Sequence, residues 1–121
     1  MQTTVVQVGT GSSQVTDLTD EVARFCRDQG DGLVHVFAPH ATAGLALMET
    51  GSGSEADLGA TLDRLLPRDD RYQHRHGSPG HGADHLLPAL VSPSLTVPVE
   101  GGRLLLGTWQ SIVLVDLNED N

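Results

Sequence analysis

The sequence contains no lysine, one cysteine and only four aromatic residues, and each shortage narrows what the chain can be. Without lysine, all seven fixed cations are arginines; they face sixteen carboxylates and leave a net charge of −9. That balance opposes non-specific binding to nucleic acid, which rests on basic contacts to phosphate, and to anionic membranes. It leaves room for a small anionic ligand held by a local cluster. Lysine depletion beside abundant glycine, alanine and arginine reads as genomic base composition rather than function. Cys26 alone permits no intrachain disulfide, and in a helix-like stretch it reads as a small buried hydrophobe. The N-terminus, Met1 to Val6, has no basic region and no long apolar core, so no signal peptide is expected. No apolar run reaches the roughly 20 residues of a membrane span. These absences predict a cytoplasmic protein with no membrane and no nucleic-acid partner. A length of 121 residues suits one domain over 1–121 with one modest core.

What is present is a series of short apolar runs punctuated by glycine and proline, with no internal repeat. Thr4 to Val8 is rich in β-branched residues and reads as a strand. Val15 to Leu18 leads into a helix, with Asp17 or Thr19 as N-cap, Val22, Phe25 and Cys26 at helical spacing, and Gly30 and Gly32 as the stop. Leu33 to Ala38 is a strand apolar on both faces, as if covered on two sides; His35 there reads as a core or interface residue. Leu45 to Met48 is the next strand. Ser54 opens a helix, with Asp57 completing a shortened capping box and Leu58, Leu62, Leu65 and Leu66 forming one apolar stripe. Pro67 to Gly82 is polar and irregular, and long connections of this kind are usually functional or disordered. Ala83 to Val91 reads as a short helix that Pro88 would kink or shorten. The last third reads as a meander: Leu95 to Val99, a Gly101-Gly102 turn, Arg103 to Leu106, then a long strand from Thr108 to Leu117 and an acidic tail to Asn121.

Candidate chemistry centres on six histidines: His35, His40, His74, His76, His81 and His85. His40, His74 and His85 each flank an apolar element, so folding can bring their rings together. Neutral imidazole is the commonest zinc-type ligand, and three of them with an open fourth position make a catalytic arrangement. Imidazole also serves as general acid or base near neutral pH. No His-Glu-x-x-His or Cys-x-x-Cys motif accompanies them. A plainer reading of His40 is a turn histidine at the end of a strand. Gly101, Gly102 and Gly107 lack phosphate-loop spacing, and no Gly-x-Ser-x-Gly elbow is present. The hydroxyls of Thr42 and Thr108, close to glycines, can bind an anion or simply close turns.

From Ser94 to Ile112 the chain reads Ser-Leu-Thr-Val-Pro-Val-Glu-Gly-Gly-Arg-Leu-Leu-Leu-Gly-Thr-Trp-Gln-Ser-Ile, which resembles the signature of the YjbQ family, often named secondary thiamine-phosphate synthase. Pro39-His40-Ala41-Thr42-Ala43-Gly44-Leu45, running on to Glu49, is similar to the family's Pro-His-x-Thr-Ala-Gly-Leu segment. Asp57, Asp63, the Tyr72-Gln73-His74 triplet and His85-Leu86 fall where the family has an aspartate-bearing helix, a Tyr-x-His and an Ala-His-Leu. The resemblance covers essentially the whole chain. It implies an α+β fold, with a largely antiparallel, sandwich-like sheet and two to three helices, assembled as a homotrimer. It also implies a pocket in which His40, His74 and His85 hold a divalent, zinc-like metal. Beside them, His40, Glu49 and Asp57 would be catalytic, and Thr42, Thr108, Trp109 and Gln110 would contact substrate. The function it implies is an enzyme acting on a small phosphorylated metabolite, with thiamine-phosphate synthesis as the named chemistry. The alternatives are a non-catalytic homotrimeric module that binds a metabolite or metal, and a purely structural role. Two residues depart from the family pattern around His85: Asp84 stands where a small residue is usual, and His81 where an asparagine is. Family members also commonly run on into a further arginine-bearing strand, beyond the point where this sequence stops.

Overall fold

The computed structural model describes residues 1–74, 77 and 80–118. In chain order these form β1 (Val15–Asp17), α1 (Thr19–Cys26), β2 (Gly32–Phe37), β3 (Ala43–Met48), α2 (Ser54–Leu65), α3 (His81–Leu90), β4 (Ser94–Glu100), β5 (Arg103–Leu104) and β6 (Ser111–Asp116). Arg75, His76, Ser78, Pro79 and most of the acidic tail, from Glu119 on, lie outside the described residues.

The molecule is built on β6. Ile112 and Leu114 turn to one side of it, Val113 and Val115 to the other, and both sides are packed. A strand apolar on both faces belongs in the middle, and β6 lies between β1 and β3, antiparallel to each. A second antiparallel sheet has the order β2-β4-β5. Between the sheets lies one core, made by Val34, Val97 and Val99 from the second sheet and Ala43, Leu45 and Ile112 from the first, with Cys26 of α1 added. On the other side of the first sheet, Leu62 and Leu66 at the end of α2, with Ala83 and Leu87 of α3, cover Val113 and Val115. The result is the expected α+β architecture: two stacked three-stranded sheets, with α2 and α3 layered on one of them.

Three glycines serve a close approach and a tight turn. A Cβ at Gly44 on β3 would collide with the Val91 carbonyl oxygen, so α3 rests directly on β3. Gly101 and Gly102 both take positive φ, 56° and 77°, between β4 and β5, as the tight hairpin turn expected there requires. Pro98 is tolerated in the central strand β4 because its carbonyl, which accepts from Leu105 N at 2.9 Å, and its donorless nitrogen face the side where the two-residue β5 ends.

Several boundaries differ from the sequence reading. Thr4 to Val8 is not a strand: residues 1–10 have no regular structure, and Val5 is 88% exposed. β-branched content alone cannot hold a strand without a pairing partner. Val15–Asp17, read as a helix lead-in, is a strand because it finds Val113–Val115 to pair with. Asp17 Oδ1 does accept from the backbone N–H of Thr19, at 2.9 Å, and α1 ends at Cys26, short of Gly30. The capping box at α2 is absent: Gly53 precedes the helix with no side-chain cap, and Glu55 instead accepts from Gly51 N. The last two strands are shorter than read, because 107–110 forms its own turn: Gln110 N donates to Gly107 O and Gly107 N to Gln110 Oε1. β2 is covered on one face only. Val34 packs inward, whereas Leu33 and Phe37 are 74% and 60% exposed. His35 lies between them, bonded to Thr96 across the sheet at 2.9 Å.

Candidate functional site

α3 begins at His81, two residues before the pattern suggests, with Gly80 entering it at φ 87°. The earlier start puts His81 and His85 four residues apart on one helix, and so on one face. Their Nε2 atoms are 2.9 Å apart and their ring centroids 4.5 Å. His74, from the segment before α3, stacks on His85 with centroids 4.1 Å apart, and lies 5.5 Å from His81. Three imidazoles thus form one group. A bond between two imidazole nitrogens needs one N–H donor and one lone-pair acceptor, so the two rings play different parts at Nε2.

The loop is fixed to the helix by contacts local to both. Asp84 is fully buried, and both its oxygens accept from the Arg68 guanidinium, with Nη2 to Oδ2 at 3.2 Å. Its Oδ2 also faces His81 Nδ1 at 3.8 Å. Tyr72 donates its hydroxyl to Pro67 O at 2.6 Å, and burial pushes its phenol up from the ordinary value. Gly82 is the contact point: a Cβ there would lie 2.7 Å from Tyr72 Cβ and 2.9 Å from His74 O. Any larger residue would push the histidine-bearing loop off α3.

The structure therefore brings together His74 and His85 of the candidate residues and adds His81, Arg68 and Asp84. His81 escapes the sequence reading because it lies outside the helix drawn there; its four-residue spacing to His85 is the signal that could have found it. The other candidates sit apart from this group within one chain. His40 is exposed in the connection between β2 and β3, and Thr42 nearby is buried. Glu49 follows β3 half-buried, and Asp57 is exposed in the first turn of α2. Thr108, Trp109 and Gln110 are exposed on the turn before β6, Trp109 by 72%. Among the described residues, none of these side chains hydrogen-bonds to the three rings or stacks on them. The donor chemistry suits a zinc-like ion, but the set His40, His74 and His85 does not fit one as placed, because His40 stands outside the group. Nor, among the described residues, do any three His, Cys, Asp or Glu donors already converge on a metal position. No helix among them is long and apolar enough to cross a membrane.

Comparison with known proteins agrees with the fold. The UPF0047 protein Rv2556c of Mycobacterium tuberculosis is 67% identical over 121 residues, spanning 100% of this chain and 91% of that protein. The UPF0047 protein YugU of Bacillus subtilis is 33% identical over 115 residues, 90% of this chain and 83% of that one. Among solved structures, the conserved hypothetical protein TT1486 of Thermus thermophilus superposes with a TM-score of 0.83 at 32% identity, covering 96% of this chain and 90% of that one. The family model described as UPF0047 protein YjbQ-like matches residues 4–121. With the signature segments, the two-sheet architecture and these relatives in agreement, the chain belongs to the YjbQ-like UPF0047 family.

Proposed function

We propose that this chain is an enzyme of small-metabolite chemistry whose centre is the histidine group at the start of α3, working on a phosphorylated ligand within a homotrimer. The observation that supports this most is the convergence of His74, His81 and His85, backed by a fully buried carboxylate. Imidazoles titrate near neutral pH, so a group of them can take up, deliver or relay protons at a bound molecule. Arg68, paired with Asp84, supplies a fixed cation for a phosphoryl group. Thiamine-phosphate synthesis is the first chemistry to test. His40, Glu49, Asp57, Thr42, Thr108, Trp109 and Gln110 enter as ligand contacts expected from the family resemblance. The homotrimer is supported by the uncovered face of β2, where Leu33 and Phe37 flank the His35–Thr96 pair; exposed apolar surface of this kind marks an association site.

The test is thermal stability of the chain with phosphorylated metabolites, thiamine precursors first, followed by turnover of whichever binds. A ligand at 100 times its Kd should stabilise by about 2.7 kcal/mol. His85→Gln should abolish the shift and the turnover. A shift that His85→Gln leaves intact would place the site elsewhere. A shift without turnover would favour the second reading, a non-catalytic module holding a metabolite or a metal.

A further inference from the structure

We infer that the N-terminal segment of one copy of this chain adds as a further strand to the free edge of β2 in a second copy. The inference rests on the reading that the chain assembles with itself, and it names the surfaces that meet. Thr4 to Val8 has the β-branched composition of a strand. Within its own chain it pairs with nothing: among the described residues, no backbone hydrogen bond involves residues 1–9. Residues 1–7 are exposed, Val5 by 88% and Val6 by 49%. Val8 turns inward and packs against the core between the sheets. The segment is therefore held at Val8 and open along Thr4 to Gln7. Exposed valines and unpaired amides in one run are what a strand added to another sheet requires.

β2 offers the edge. It pairs with β4 on one side, and among the described residues its other side carries no backbone bond. Natural edge strands are guarded by short length, charge, proline or a bulge. β2 has six residues, no charged side chain, no proline and an unbroken register with β4. The other edges are poorer acceptors: β1 has three residues and β5 two, and β3 is already engaged where Leu45 N donates to Ser92 O at 2.7 Å. Thr4 to Gln7 at about 3.3 Å per residue spans roughly 13 Å, within the roughly 20 Å of β2. Charge selects the same surfaces. Two chains of net charge −9 repel each other, but residues 1–16 and Gly32–Phe37 carry no charged side chain. Two copies meet there without opposing carboxylates. Donor and acceptor are different surfaces, so the contact runs head to tail, and three copies can close it into a ring.

Val5→Pro and Val6→Pro test the contact without disturbing the fold, because residues 1–9 make no backbone hydrogen bond in their own chain. Circular dichroism should be unchanged in both. Adjacent amides face opposite sides of a strand, so one of the two prolines removes a ladder donor. That variant should self-associate about tenfold or more weakly in sedimentation. In the assembled wild type, amides within Thr4 to Gln7 should exchange about tenfold or more slowly than in the monomer. A nitroxide on Val5→Cys, with Cys26 buried and so unlabelled, is co-refolded with isotope-labelled wild type. It should broaden the resonances of Gly32–Phe37 in the isotope-labelled chain, a result that needs no proline variant. The inference is overturned if the wild type is monomeric at the concentrations used for resonance, if neither proline variant weakens association, or if the broadening falls on a strand other than β2. A trimeric wild type whose amides at 4–7 exchange freely overturns the strand addition and leaves the homotrimer and the histidine group of the proposed function standing.

Discussion

The ion pair between Arg68 and Asp84 is the contact on which the histidine group depends, and its removal has a calculable cost. Asp84 is 0% exposed and the Arg68 side chain 21%. Arg68→Met strands a carboxylate that water cannot reach, and breaking a buried pair on one side costs about 3–5 kcal/mol. Asp84→Leu strands a guanidinium with partial access to water, so about 3 kcal/mol is expected, the lower end of that scale. The double variant, Arg68→Met with Asp84→Leu, removes both charges and should lie within about 1 kcal/mol of the wild type. At roughly 3–5 °C per kcal/mol for a chain of this size, Arg68→Met should lower Tm by roughly 10–20 °C. Urea unfolding of the wild type, both single variants and the double, at one protein concentration, gives the coupling energy directly. Single losses below about 1 kcal/mol, or a double variant whose loss equals the sum of the singles, would refute the claim that a buried, coupled pair fixes this loop.

Three further outcomes follow from the packing. Gly44→Ala drives a Cβ into the Val91 carbonyl, a backbone atom that cannot rotate away, and should cost about 1–3 kcal/mol; an unchanged urea midpoint would mean that α3 does not rest on β3 there. Tyr72→Phe should cost about 1 kcal/mol by removing the bond to Pro67 O. It should also change the alkaline limb of stability: the folded phenol is raised, so its contribution is whole below the unfolded value near pH 10 and is lost as pH rises through the folded one. Urea midpoints of both proteins on either side of pH 10 check this, the variant lacking that part of the fall. Phe37→Glu places a charge on the exposed face of β2 and should shift the assembly towards monomer in light scattering, whereas a wild type that is already monomeric would remove the case for a trimer.

Much of the architecture is legible along the chain. The alternation at Ile112, Val113, Leu114 and Val115 fixes β6 as a strand packed on two sides, and the leucine stripe from Leu58 to Leu66 fixes α2. Gly101-Gly102 fixes a hairpin. These follow from periodicity and turn chemistry, which act over a few residues. The signature around Gly107-Thr108-Trp109-Gln110 and the Pro39 to Glu49 segment carry family membership without any structure. What misleads is propensity without a partner: Thr4 to Val8 has the composition of a strand and no neighbour to pair with, whereas Val15–Asp17 has one.

The histidine group lies on the other side of that divide. Composition supplies six histidines, their places beside apolar elements and the family resemblance single out His40, His74 and His85, and the sequence by itself determined that imidazole chemistry was available near α3. That His81 joins them, and that His40 stands apart within one chain, depended on where α3 begins, on a loop seated against Gly82, and on Arg68 reaching Asp84 across sixteen residues. Those are contacts between the loop and the helix that follows it, set by packing and buried charge rather than by residue preference. Only the tertiary structure decided them.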